Sequence, residues 1–206
     1  MGPVRARPLR AALLLGALAA GVAGGCRPGG PEAPALRPLV LVTIDTLRAD
    51  HVGAYGYPRD TTPFLDRLAA EGVLFENAFS ASSHTGPSHA SMLTALQPFQ
   101  HGLLENGHPL PPGHRTLADL LAAAGYETAA FTSVGFLSEL AQGFDHFDAA
   151  WRTGDATTDA ALAWLDARGP DAPPFFLWLH LYDPHKLRGP REKLQPDAAR
   201  LSLETP

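Results

Sequence analysis

The chain of 206 residues is slightly acidic, with 16 lysines and arginines against 21 aspartates and glutamates and a formal net charge of −5. Removal of a leader of 25 residues would delete three arginines and no acids, which brings this charge to −8. The balance argues against nucleic acid and anionic membrane surfaces as general partners, because both attract basic patches. The remaining 181 residues can hold one core, and a small anion can still be bound locally.

A secretion signal is predicted at residues 1–25. Three arginines precede an uncharged stretch rich in leucine and alanine, which is too short to span a bilayer in mature form. The stretch ends in Ala-Gly-Gly-Cys26 and resembles a bacterial lipobox, although Ala23 stands where Leu or Val is more usual. Cys26 is the only cysteine and cannot form an internal disulfide, so we expect it to carry a lipid. Ordinary cleavage beside a free thiol is the alternative.

Residues 26–36 are rich in proline and glycine and predict an unfolded tether. We therefore expect an exported, membrane-anchored lipoprotein of the bacterial cell envelope, facing the periplasm or the outer surface. One folded domain is expected at 37–190. The remaining residues, 191–206, have little periodicity and predict a loop or a truncated end.

Strands and helices alternate along this domain. Strands are predicted at 38–44, 73–79, 126–132 and 174–182, and helices at 62–71, 87–96, 115–124 and 156–167. Such alternation predicts an α/β fold with a mostly parallel sheet and helices on both faces.

Two segments carry groups that suit cleavage of an ester. The apolar run 38–44 predicts a buried strand, and such strands place functional groups just past their carboxyl ends, where Asp45 lies. Further on, Pro87 favours the first turn of a helix, so that Thr85 projects from the helix N-terminus. Unpaired N–H groups and the helix dipole favour an anion there, such as the sulfate or phosphate of an ester.

Threonine needs activation before it can act as a nucleophile, because its hydroxyl stays protonated at neutral pH. A divalent metal held by Asp45 would lower the pKa of the Thr85 hydroxyl and neutralise charge on the ester oxygens. The simpler reading is structural: Asp45 would cap a turn, and Thr85 would cap the helix.

The two segments are part of a longer series of motifs. It includes Thr85-Gly-Pro-Ser-His89 and Asp183-Pro-His185. In chain order, the motifs occupy 44–51, 55–56, 62–72, 85–94, 101–102, 116–129 and 175–185. In order and spacing, over about residues 38–190, the series resembles the N-terminal region of the sulfatase family, within the alkaline phosphatase superfamily.

The resemblance implies an alkaline-phosphatase-like fold and metal-dependent hydrolysis of sulfate or phosphate esters. Thr85 would be the nucleophile and, with Asp45 and Thr46, a ligand of calcium, or of magnesium, manganese or zinc. His89 and His185 would bind the ester or protonate the leaving oxygen. The substrate would be an anionic ester: a sulfated or phosphorylated glycan, lipid or small molecule.

The sequence departs from the family pattern at several positions. Sulfatases carry a Cys or Ser at the position of Thr85 and oxidise it to a formylglycine aldehyde. Threonine has an extra methyl group on Cβ, so its oxidation would give a ketone instead. His89 replaces the family arginine, and Thr46 replaces a second aspartate. The lysine and histidine of the family are absent from 131–136. Threonine at this place is closer to superfamily members that act on phosphoesters with an unmodified threonine.

By the resemblance, the family's remaining metal ligands, an Asp followed by His or Asn, would lie after the region of the family that this sequence matches. Asp45 and Thr85 alone lack most of the roughly six or more oxygens that Ca²⁺ or Mg²⁺ takes. We therefore expect either a fragment of a longer reading frame or a non-catalytic remnant or binding module. A further alternative is a transferase that moves a phospho-headgroup onto an envelope glycan or lipid. His180 alternates along a buried strand and is predicted to be a core histidine.

Overall fold

A computed structural model describes residues 36–185. The predicted leader, Cys26, the tether up to residue 35 and the tail from residue 186 lie outside the described part of the chain. Across residues 36–185, no helix is long and apolar enough to cross a bilayer. The strands are β1 (Leu39–Ile44), β2 (Glu127–Thr132), β3 (His146–Ala149) and β4 (Phe175–Leu181). The helices are α1 (Pro63–Glu71), α2 (Thr85–Thr94), α3 (Pro98–His101), α4 (Leu117–Ala123) and α5 (Gly154–Asp166), and 3₁₀ turns lie at Ala49–His51, Gly53–Tyr55 and Gly135–Leu140.

The strands form one parallel sheet in the order β1-β4-β2-β3. In the β1–β4 register, Thr43 lies opposite His180, and Ile44 lies opposite Leu181. The carboxyl ends of β1, β4 and β2 therefore meet at the same edge of the sheet. The predicted α/β fold with a parallel sheet is confirmed.

Apolar side chains cover both faces of the sheet, because alternate residues of a strand point to opposite sides. On one face, Phe176 and Trp178 of β4 pack with Leu93 of α2 and Ala118 of α4. On the other face, Leu177 packs against α5 through Ala161. Helices on both faces are thus confirmed, and the face that carries α2 and α4 also carries the polar residues of the site.

One predicted strand is wrong and one observed strand was not predicted. Residues 73–79 form coil and a turn, and their apolar side chains are exposed, with Phe79 at 90%. Apolar alternation is a weak signal without a partner strand, and within residues 36–185 this segment pairs with none, although the outer edge of β1 is unpaired there. The short strand β3 carries His146 and Asp148 between its apolar residues and pairs only with β2, so it gives no apolar run to detect.

Candidate active site

Asp45 and Thr85, which are far apart in sequence, meet at the carboxyl edge of the sheet. The Asp45 N–H donates to the Leu181 carbonyl at 2.8 Å, which extends the β1–β4 pairing one residue past the strand. Helix α2 begins at Thr85, and Thr85 Oγ1 donates to Asp45 Oδ2 at 2.9 Å. Both side chains are buried, with 8% and 9% exposed. The prediction that Thr85 stands at a helix N-terminus is confirmed.

The first turn of α2 is held by a side chain from the loop that follows α3. Asn106 Oδ1 accepts the Gly86 N–H at 2.7 Å, which satisfies one of the free N–H groups of the helix. A Cβ at Gly86 would lie 3.2 Å from the same oxygen, so a larger residue would push Asn106 away. Asn106 was not predicted from the sequence, because a polar loop residue gives no periodic signal. It fixes the position of Thr85 relative to the sheet.

His89 lies one turn along α2, with its ring behind Thr85. Its Nδ1 contacts the Thr85 carbonyl at 2.7 Å, and its Nε2 contacts Thr43 Oγ1 at 3.1 Å. Burial lowers the pKa of His89, so the neutral ring is favoured. His89 was predicted to bind or protonate the ester, and in the structure both of its ring nitrogens contact protein groups. The ring thus connects the first turn of α2 to β1.

Thr43 and His180 join the site, although the sequence did not assign them to it. The Thr43 hydroxyl contacts His180 Nδ1 at 2.9 Å and accepts the Trp178 Nε1–H at 3.0 Å. His180 is fully buried, and its Nε2 lies 3.7 Å from Asp45 Oδ2. Burial, and then the neighbouring His89, lower the pKa of His180 to about 3. The available signal was a polar residue inside each of two apolar strands, at positions that the parallel register sets side by side.

Thr46, which was predicted as a metal ligand, is exposed, whereas the adjacent Asp45 is buried. Its backbone is left-handed, with φ 54°. This conformation is unfavourable for a β-branched residue by about 1–3 kcal/mol. The chain turns sharply here, immediately after Asp45 leaves the sheet.

His185 follows β4 and is tied to Tyr182. Its N–H donates to the Tyr182 carbonyl at 3.0 Å, and the two rings stack with centroids 4.3 Å apart. Burial and the negative charge of Asp45 raise the pKa of Tyr182, so Tyr182 lies within electrostatic range of the site. His185 Nδ1 is buried and has no hydrogen-bond partner within residues 36–185. The end of β4 thus extends the same edge that carries Asp45.

The side chains that meet at this edge include groups that can act as ligands of a divalent cation. Within the described residues, no group of three or more His, Cys, Asp or Glu side chains is placed to hold a metal ion. Asp45 Oδ2 lies 2.9 Å from Thr85 Oγ1 and 3.7 Å from His180 Nε2. A carboxylate, a hydroxyl oxygen and an imidazole nitrogen are all groups that divalent cations accept.

A hydroxyl at a helix N-terminus thus lies beside a carboxylate at the carboxyl edge of a parallel sheet, which is where α/β proteins bind ligands. The family model named Sulfatase matches residues 37–200, and the chain belongs to this family. The chain is 28% identical over 172 residues to an N-acetylglucosamine-6-O-sulfatase of Bacteroides thetaiotaomicron, covering 72% of this chain and 30% of that protein. It is 37% identical over 118 residues to arylsulfatase A of Bos taurus, covering 54% of this chain and 22% of that protein.

Solved structures agree with the family assignment. A protein in complex with its substrate D-glucosamine-2-N,6-O-disulfate superposes with a TM-score of 0.65 at 27% identity, over 73% of this chain and 35% of that one. A phosphonate monoester hydrolase of Agrobacterium radiobacter shares the fold, with a TM-score of 0.61 at 19% identity over 73% of this chain and 41% of that one. The chain thus spans less than half the length of either structure. The predicted alkaline-phosphatase-like fold is confirmed.

Proposed function

We propose that this chain carries the nucleophile and part of the metal site of a divalent-metal-dependent hydrolase of sulfate or phosphate esters. The hydrogen bond of 2.9 Å from Thr85 Oγ1 to Asp45 Oδ2 carries the proposal. It places the nucleophile directly against the group that would hold the metal or accept the proton. The names of the relatives, sulfatases of N-acetylglucosamine and N-acetylgalactosamine, favour a sulfated sugar as the ester.

In the proposed reaction, Thr85 Oγ1 attacks the sulfur or phosphorus atom and forms a new ester bond. The bond to the leaving alcohol oxygen breaks, and that oxygen takes a proton, for which His185 is the candidate donor. The Thr85 hydroxyl donates to Asp45 Oδ2, so this carboxylate would accept the proton that Thr85 loses. Water then cleaves the threonine ester, which releases inorganic sulfate or phosphate and restores Thr85.

The divalent cation, when bound, would neutralise charge on the ester oxygens. Asp45 and Thr85 would hold it, and Thr46 is the remaining oxygen donor assigned to it. The protein's own contribution is to keep Thr85 in place. His89 holds the Thr85 carbonyl, and Asn106 holds the next N–H. Because threonine cannot give the formylglycine aldehyde, the covalent intermediate would be an ester of the unmodified side chain.

Two alternatives use the same residues differently. A transferase would pass the group on Thr85 to an acceptor hydroxyl, so that turnover would require the acceptor. A binding module without catalysis is favoured by the small number of metal-binding side chains within residues 36–185. It would bind a sulfated or phosphorylated sugar without consuming it.

Thr85→Ala tests the proposal. We expect a fall in kcat/KM of about a thousandfold or more on aryl sulfate or aryl phosphate esters with divalent cation present, since loss of a nucleophile removes the whole covalent route. Thr85→Ser should retain part of the activity. Thr158→Ala is the matched control, because the Thr158 hydroxyl only donates to the Gly154 carbonyl within α5. Undiminished turnover in Thr85→Ala would remove Thr85 from the mechanism.

A further inference from the structure

His180 Nε2 is a buried nitrogen without a hydrogen-bond partner in the described part of the chain. The His180 side chain is fully buried. An unsatisfied buried polar atom destabilises the fold, so it calls for a physical reason. The proton positions on the neighbouring groups supply one.

The proton on His89 is fixed by its partner. The Thr85 carbonyl can only accept, so His89 Nδ1 must donate the bond of 2.7 Å. The ring is buried and neither of its nitrogens contacts a carboxylate of the described residues, so the neutral form is favoured and His89 Nε2 carries a lone pair. At 3.1 Å, this lone pair accepts the hydroxyl proton of Thr43.

The same reasoning fixes the proton on His180. Thr43 has a single hydroxyl proton, and His89 accepts it. The other two neighbours, Trp178 Nε1 at 3.0 Å and His180 Nδ1 at 2.9 Å, must then both donate to the Thr43 oxygen. The His180 ring is fully buried and no acceptor in the described residues lies within hydrogen-bonding distance of Nε2, so this nitrogen carries a lone pair and not a proton.

The lone pair of His180 faces an acceptor. Asp45 Oδ2 lies 3.7 Å away, which is too long for a hydrogen bond, and it already accepts the Thr85 hydroxyl. Two electron-rich atoms that converge in a buried place are stabilised by a cation between them. Ligands at about 2.0–2.2 Å from a tetrahedral zinc stand roughly 3.4 Å apart, which is close to the observed separation.

We propose that His180 Nε2 is a nitrogen ligand of the divalent cation at Asp45, with the Thr85 hydroxyl oxygen beside it. The inference rests on the metal site of the proposed function and deepens it. Imidazole suits zinc and other first-row metals, whereas calcium and magnesium take oxygen. A site with His180 as a ligand therefore prefers Zn²⁺ to Ca²⁺.

The first test uses the unaltered chain. In protein labelled with ¹⁵N-histidine, long-range proton–nitrogen NMR should show His89 and His180 protonated at Nδ1 and unprotonated at Nε2. Addition of Zn²⁺ should shift His180 Nε2 strongly and leave the nitrogens of His101 in place. His101 is also fully buried, and its nitrogens bond to Ser91 and Leu103.

The second test measures Zn²⁺ and Ca²⁺ affinity by calorimetry. His180→Gln should weaken Zn²⁺ binding at least about 100-fold, since loss of even outer-shell partners costs roughly 10–100-fold. Its effect on Ca²⁺ should be much smaller. His101→Gln is the control for loss of a buried histidine, and near-UV circular dichroism checks that each variant is folded.

The outcomes separate the inference from the proposed function. If Asp45→Asn abolishes Zn²⁺ binding while His180→Gln binds normally, and His180 Nε2 does not shift, the inference is overturned and the metal site at Asp45 stands. If the unaltered chain binds neither cation, both the inference and the metal dependence of this chain are overturned.

Discussion

Thr43 connects the buried rings of the site to Thr85. One hydroxyl, with one proton and two lone pairs, meets His89, His180 and Trp178 at 2.9–3.1 Å. Every hydrogen-bonding position of this hydroxyl is therefore used. Since His89 also contacts the Thr85 carbonyl, Thr43 and Thr85 are linked through the His89 ring.

The surroundings of His101 predict that the stability of the fold depends on pH. Its Nδ1 accepts the Leu103 N–H at 3.1 Å, so the folded state needs this nitrogen unprotonated. Burial lowers the pKa of His101 below its usual value of about 6.5. The unfolded chain therefore binds a proton at a pH where the folded chain does not. The resulting stability is complete above about pH 6.5 and is lost as the pH falls.

Denaturant unfolding measured at several pH values checks this prediction. Between pH 6.5 and 5, His101 should contribute a fall in the free energy of unfolding of at most about 1.4 kcal/mol per pH unit. His101→Gln should reduce the slope by this contribution. A slope that the substitution leaves unchanged would contradict the role given to His101.

Local sequence signals predict the strand end at Asp45 and the helix start at Thr85, and the family resemblance adds the expectation that the two act together. The orientations of His89 and His180 do not follow from the sequence. They depend on the register between β1 and β4, which sets Thr43 opposite His180 across 137 residues of sequence. A periodic pattern shows that His180 is buried, but not which atoms surround its ring.

Helix α4 begins with a strong capping arrangement. Thr116 Oγ1 accepts the Asp119 N–H at 3.1 Å, and Asp119 Oδ2 accepts the Thr116 N–H at 2.8 Å. The hydroxyl also lies 3.1 Å from the Gln142 carbonyl, which ties the helix to the loop before β3. Thr116 is almost fully buried, so solvent cannot replace these bonds.

Thr116→Ala should lower the free energy of unfolding by about 1–2 kcal/mol, since it removes a cap and leaves buried groups unpaired. Chemical denaturation with an unchanged m-value measures the loss. Thr153→Ala is the comparison, because the Thr153 hydroxyl caps α5 through a longer bond of 3.3 Å to the Ala156 N–H. A loss for Thr116→Ala no larger than for Thr153→Ala would contradict the assignment.

Strand β1 does not pair with the apolar segment at 73–79, which forms coil and a turn. It occupies one edge of the sheet, and Val40 and Val42 on its outer face are 57% and 49% exposed. Phe75 and Phe79 are exposed as well, at 69% and 90%. Their apolar pattern matches a strand, but residues 36–185 provide no neighbour with which it pairs.

At the scale of the whole molecule, the described residues bring Asp45 and Thr85 together at the carboxyl edge of the sheet. The chain spans 30% of its Bacteroides relative and 22% of the bovine one. The number of ligands gathered at Asp45 is correspondingly small within residues 36–185.

We propose that the chain is exported and anchored through a lipid on Cys26. In a bacterial host fed labelled palmitate, the protein should take up label and appear in the membrane fraction, and its intact mass should correspond to cleavage before residue 26. Cys26→Ser should lose the label and leave the membrane. Labelling that survives in Cys26→Ser, or unlabelled wild-type protein in the soluble fraction, would contradict the anchor.

The most direct measurement asks whether Thr85 becomes covalently modified. The native protein is mixed with an aryl sulfate or aryl phosphate ester and a divalent cation, quenched rapidly in acid, digested and analysed by mass spectrometry. We predict that the peptide containing Thr85 gains the mass of one sulfo or phosphoryl group, and that this species is absent in Thr85→Ala. Hydrolysis of the ester while Thr85 stays unmodified would contradict the account.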